Sequence, residues 1–173
     1  AEFQPEFEPC FDDARGTARW VYINLDRGLR GRAVLALPRA GNPPFPLVIA
    51  QHGISSSPER AFGLADAEDL YHGYAGRLLE AGYAVLAPSN ITEAAPRARL
   101  QRLCLLLGRT LAGLEIGKIK RLLDFALTLP EIDAGRVAMW GISLGGLYTM
   151  FTLPLEPRIK VGINCAFFND RFH

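Results

Sequence analysis

The sequence predicts an α/β fold: a mostly parallel sheet with helices on both faces and an antiparallel hairpin at its N-terminal side. Three observations carry that expectation. Short continuous apolar runs recur along the chain, as suits strands covered on both faces. Helical patterns separate them, as parallel crossovers require. Two longer strand-like stretches near the start are joined by a tight turn.

Taken in order, residues 19–26 and 30–37 form the hairpin, turning at Asp26-Arg27-Gly28. Pro43, Pro44 and Pro46 deliver the chain into the apolar run Leu47 to Ala50. Residues 71–81 read as a helix that Gly82 ends, and 83–87 as a buried strand stopped by Pro88. An apolar, arginine-rich helical pattern follows over 97–108. After Gly113 a longer helix sets Ile116, Ile119, Leu122, Leu123, Ala126 and Leu127 on one stripe, which is expected to pack in the core. Pro130 and Asp133 break the chain before a third buried strand over 136–140. A helix from Leu144 to Leu153 stops at Pro154, and 159–167 gives a fourth buried strand.

Composition narrows the function. A chain of 173 residues, 49% of them hydrophobic, can bury a core as one domain. That apolar content excludes a solvated, disordered chain. A net charge of +1 supplies no field for a nucleic-acid backbone, so no nucleic-acid partner is expected. No apolar run approaches the roughly 18–20 residues that span a bilayer, and no membrane partner is expected. Cys10, Cys104 and Cys165 have no metal-type spacing, and Cys104 and Cys165 read as buried free thiols. With no ligand cluster and no phosphate-cradling glycine loop, no metal or organic cofactor is implied.

The chemistry lies in Gly141-Ile142-Ser143-Leu144-Gly145-Gly146. Gly-x-Ser-x-Gly alone is a weak signal; between a buried strand and an apolar helix it is a strong one. A nucleophile on so sharp a turn adopts a strained backbone that projects its side chain above the sheet. Gly141 and Gly145 stand where a Cβ would strike neighbouring backbone. The bland reading is that Ser143 only caps the helix. A second feature agrees with the sharper one. Gln51-His52-Gly53-Ile54 follows the first apolar strand at its carboxyl end, where ligands gather in such sheets. An oxyanion needs two aimed donors, expected from the N–H of Leu144 and of Ile54, or of Gly53. His52 is expected to order this loop rather than act as a base, and His72 has no partner signal.

These segments resemble the N-terminal two thirds of an α/β-hydrolase. The resemblance is to the branch holding dienelactone-hydrolase-like proteins, acetyl xylan esterases and prolyl-oligopeptidase-type domains. It rests on Leu47–Gly53, Ala81–Pro88, Gly117–Leu127 and Pro130–Gly146, in the right order over about residues 20–170. Dienelactone hydrolases place Cys at the nucleophile position, so Ser143 points to esterases and peptidases. The resemblance implies a single domain over 1–173 that lacks the C-terminal strands carrying acid and base. In that fold the order is Ser, acid, His. After Ser143 the sequence supplies Glu156, Asp170 and His173; Asp170 and His173 read as a surface loop rather than the missing pair. An opening at Ala1 without Met adds to the expectation of a fragment. The parent is expected to be active and these 173 residues alone inactive. An unfinished sheet would leave an exposed strand edge, and marginal solubility is expected of the isolated chain.

The activity implied is hydrolysis of a small carboxylic ester, an acetyl ester among the candidates, through an acyl-Ser143 intermediate. The alternatives are a serine peptidase of prolyl-oligopeptidase type and a non-catalytic binding domain on the same scaffold. Arg97, Arg99, Arg102 and Arg109 are candidates for a pocket rim that would favour an anionic substrate, although a solvated helix face is the plainer expectation.

Overall fold

The computed structural model describes residues 2–26, 28–65 and 70–168. Seven strands form one sheet: β1 (Glu6–Asp12), β2 (Gly16–Asp26), β3 (Leu29–Pro38), β4 (Phe45–Gln51), β5 (Ala84–Pro88), β6 (Ile132–Ile142) and β7 (Ile159–Cys165). Their order is β1-β2-β3-β5-β4-β6-β7. β5, β4, β6 and β7 run parallel, while β1, β2 and β3 join antiparallel at one side. The expected α/β sheet with its leading hairpin is present.

Helices α1 (Pro58–Ala61), α2 (Tyr74–Glu80), α3 (Ala94–Leu106), α4 (Leu111–Ala126) and α5 (Leu144–Thr152) provide the crossovers. Alternate strand residues point to opposite faces. Leu47, Ile49, Leu86 and Met139 therefore pack on one side with α4 and α5, through Ile119, Leu122, Leu123 and Tyr148. Ala50, Val85 and Ala87 pack on the other with Phe62 and with Tyr74, Ala75 and Leu79 of α2. Helices thus cover both faces.

Several bounds move. β1 is an added strand ahead of the expected hairpin, pairing with β2 across an irregularity between Pro9 and Phe11. Proline is tolerated there because β1 is an edge strand and needs only one row of ladder bonds. The helix expected from residue 71 starts at Tyr74, behind Gly73 at φ 58°. α4 begins at Leu111 because the Thr110 hydroxyl accepts from the Gly113 N–H, a side-chain cap ahead of the expected start. The strand expected over 136–140 runs from Ile132 to Ile142. β7 ends at Cys165 and is an exposed edge strand rather than the expected buried one, with Val161 55% and Ile163 42% exposed and Cys165 half-buried, because among the described residues no strand pairs on its outer side. α3 buries only Cys104 and leaves Leu103, Leu105 and Leu106 exposed.

Candidate active site

The carboxyl ends of β4, β5 and β6 converge, and each contributes one layer. From β6 the chain turns at Ser143 into α5 with φ 57° and ψ −117°, a region that side-chain-bearing residues rarely adopt. The Ser143 N–H donates to the Cys165 carbonyl at 2.8 Å, tying the turn to β7. Its hydroxyl makes no capping bond to α5, so a purely capping role does not account for it.

Glycines let three backbones meet here. A Cβ on Gly141 would lie 2.0 Å from the Gly145 carbonyl oxygen, and one on Gly145 would lie 2.0 Å from that of Gln51. Both contacts are with backbone, which cannot swing aside as a side chain can. One virtual methyl on Gly53 would meet the Ser143 Cβ at 3.1 Å and the Tyr71 hydroxyl at 2.6 Å. The loop after β4 therefore lies directly against Ser143.

That loop is held by side chains. The Gly53 N–H donates to the Tyr71 hydroxyl at 3.0 Å, so this amide is occupied. Among the described residues no acceptor meets the N–H of Ile54 or of Leu144. Of the two expected loop donors, Ile54 is the one left available. Leu144 also begins α5, where the helix dipole favours negative charge.

His52 is 1% exposed, and burial pushes its pKa down to about 4. Its Nδ1 lies 2.9 Å from the Gly53 carbonyl, and its Nε2 accepts from the Asn90 N–H at 3.2 Å. Those partners require a neutral ring protonated at Nδ1 and engage both nitrogens. The imidazole orders the loop and is not placed to receive a proton from Ser143.

Sequence reading missed what stands behind His52. Asn90, just past β5, donates through Nδ2 to the His52 carbonyl at 3.3 Å. Lys118 of α4 donates to the Ser89 carbonyl at 2.5 Å and to Asn90 Oδ1 at 3.4 Å, and it pairs with Glu115. Glu115 also accepts the Ile91 N–H at 3.1 Å. Both charged side chains are buried, with Glu115 3% and Lys118 9% exposed. Burial lowers the Lys118 pKa, and the Glu115 carboxylate beside it acts the other way. A buried charge is tolerated when paired and hydrogen-bonded, and this pair clamps the 89–91 loop onto His52. The signal was present in the sequence: Glu115 and Lys118 fall within the apolar stripe of α4.

His72 is exposed. Asp170 and His173 lie outside the described residues. Glu156 is committed to Arg158, which holds its carboxyl below the usual range. Arg99, Arg102 and Arg109 are exposed, whereas Arg97 turns inward to the Ile91 carbonyl and the Tyr148 hydroxyl. Among the described residues no three His, Cys, Asp or Glu are grouped so as to hold a metal ion, and no helix is long and apolar enough to cross a membrane.

No family model matches the chain. It is similar to YtaP of Bacillus subtilis strain 168, which carries a provisional hydrolase name, with 25% identity over 151 residues, 83% of this chain and 50% of that protein. The chain thus spans about half the length of the curated relative it matches. Its structure is similar to a Bacteroides fragilis protein provisionally named an acetyl xylan esterase, with a TM-score of 0.80 and 18% identity over 94% of this chain and 47% of that one. Acetyl xylan esterase 1 of a Thermoanaerobacterium species gives 0.67 and 21%, covering 95% of this chain and 52% of that one. A cold-adapted esterase from an Arctic intertidal metagenomic library gives 0.64 and 18%, covering 94% and 64%. At these identities the likeness is one of fold, and the fold is that of the α/β-hydrolases.

Proposed function

We propose that this chain is the nucleophile-bearing part of a serine hydrolase that cleaves small carboxylic esters. The observation that carries the reading is the Ser143 turn: a strained serine, its hydroxyl free of capping duty, pressed against a loop with an open amide. Ser143 Oγ attacks the ester carbonyl, and the carbonyl oxygen becomes an oxyanion between the N–H groups of Leu144 and Ile54. Collapse expels the alcohol and leaves acyl-Ser143; water then attacks, releasing the acid and restoring the hydroxyl. A hydroxyl is a weak nucleophile at neutral pH, so a histidine oriented by a carboxylate must take its proton. His52 and His72 are not placed for this, and the base and acid are assigned to a segment outside the described residues.

The relative's hydrolase name and the esterase names of the structural neighbours support ester over peptide cleavage, with an acetyl ester as the first substrate to try. The test is turnover of p-nitrophenyl acetate by the full-length protein and by Ser143→Ala. The expected result is a loss of at least about 10³-fold in kcat with the fold intact. Equal turnover in the two would overturn the reading. Cleavage of a peptide but not of the ester would move it to the peptidases, and no turnover of either would leave a binding domain.

A further inference from the structure

Helix α3 is held to the body from one side. Cys104 is its buried residue, and Arg97 donates to the Ile91 carbonyl and the Tyr148 hydroxyl. Its far end stands clear. Leu103 and Leu105 are exposed, and Leu106 and Leu107 are 83% and 76% exposed. A solvated helix face does not account for so dense a run of exposed leucines. We propose that this helix end is a membrane-docking knuckle, which dips its leucines into one leaflet of an anionic lipid bilayer.

The charges around the leucines favour that partner. Arg99 and Arg102 lie about one turn behind the tip and Arg109 just past it; all three are exposed, with no partner among the described residues. Apolar and basic residues thus separate along the helix rather than around it. The result is an apolar tip inside a basic collar, which suits an end entering a lipid surface through negatively charged headgroups. No carboxylate lies between Glu93 and Glu115. A second copy docked tip to tip would set arginine against arginine, with nothing in the segment to pair them. A layer of anionic headgroups supplies the counter-charge to all three.

The backbone and the shape of the tip fit the same phase. Gly108, at φ 65°, ends the helix, and its N–H donates to the Leu105 carbonyl at 3.0 Å. The N–H groups of Leu107 and Arg109 donate to the Cys104 carbonyl at 3.0 and 2.8 Å. A chain end that enters an apolar phase needs its hydrogen bonds made internally. At about 100° per residue, the leucines fan round more than half of the helix. A fluid lipid accepts such a fan without the matched groove that a protein partner would need. Crossing a bilayer takes about 20 apolar residues, and no helix among the described residues has them; a knuckle that enters one leaflet needs only a few.

The test sediments the full-length protein with vesicles of phosphatidylcholine, alone or with about 30% phosphatidylserine. Binding to the phosphatidylserine vesicles is expected to be at least about tenfold tighter, and to weaken as salt is raised. Leu106→Ser with Leu107→Ser, and separately Arg99→Gln with Arg102→Gln, should each weaken it about tenfold, with thermal melting unchanged because all four side chains are exposed. No binding, equal binding to both vesicles, or binding that both double variants retain would overturn the proposal. A dimer that Leu106→Ser with Leu107→Ser dissociates, in a protein that binds no vesicle, would give the surface to a second copy and overturn it as well. Ser143→Ala is expected to bind vesicles as the parent does, so failure here leaves the ester-hydrolase reading standing. Vesicle binding by a protein that turns over no ester would keep the knuckle and remove the hydrolase.

Discussion

At the Ser143 turn, Gly141 and Gly145 allow backbones to touch, and nothing longer than a hydrogen fits. At the turn after β4, 91 residues earlier, a Cβ on Gly53 would also be crowded, 2.6 Å from the Tyr71 hydroxyl, but this turn is held from behind as well, by Tyr71, His52, Asn90, Lys118 and Glu115. One turn is set by where no side chain can fit, and the other by that together with a relay of hydrogen-bonded side chains. The difference teaches that a strained serine turn needs local steric rules, while a loop amide can be positioned from a helix well away in sequence.

The comparison breaks most visibly at the buried pair. Lys118→Met leaves the Glu115 carboxylate buried and unpaired, and is expected to lose about 3–5 kcal/mol in denaturant unfolding. Adding Glu115→Leu should recover part of that loss, because no lone charge then remains. Equal stability of Lys118→Met and the parent chain would show the clamp carries nothing.

The same network predicts a pH effect on the order of 3 kcal/mol. Folded His52 titrates near 4 against an ordinary 6.5, so the unfolded chain binds the extra proton between those values. The contribution is complete above about pH 6.5, declines as pH falls toward 4 and is flat below it. The stability slope across that window should be shallower in His52→Gln. Asp13, Glu156 and Asp133, all held below their ordinary values by arginine partners, account for a remaining slope at its acid end.

Gly145→Ala attacks the other turn. Its methyl would sit 2.0 Å from the Gln51 oxygen, and a loss of up to about 3 kcal/mol is expected, with reduced activity because Ser143 is displaced. The smallest effect is expected for Tyr71→Phe, which frees the Gly53 N–H. A change of about 1 kcal/mol, read by thermal melting, would match one lost hydrogen bond.

The two turns also differ in how far the sequence discloses them. Gly141-x-Ser143-x-Gly145 announces its geometry, because glycine spacing is a local steric code. The clamp joins residues 38 and 28 positions apart, and nothing in the spacing of His52, Asn90 and Lys118 reveals that they meet. Only the two charges inside the α4 stripe hinted at a polar layer. Strands β4 and β5 were legible as buried from their apolar runs, whereas the similar run in β7 lies at a sheet edge that leaves Val161 and Ile163 exposed. β1 was not, because Glu6, Glu8, Pro9 and Asp12 give an exposed edge strand little apolar signal. α3 was legible as an apolar, arginine-rich helix, but which of its residues pack is decided by neighbours rather than by composition, and only Cys104 is buried.

The most direct test of the central claim is covalent trapping. The full-length protein is treated with a fluorophosphonate, and the modified peptide is identified by mass. A single phosphonyl group on Ser143 is expected, with labelling lost in Ser143→Ala and slowed in Lys118→Met. An unlabelled Ser143 in a protein that hydrolyses esters, or a label on another residue, would contradict it.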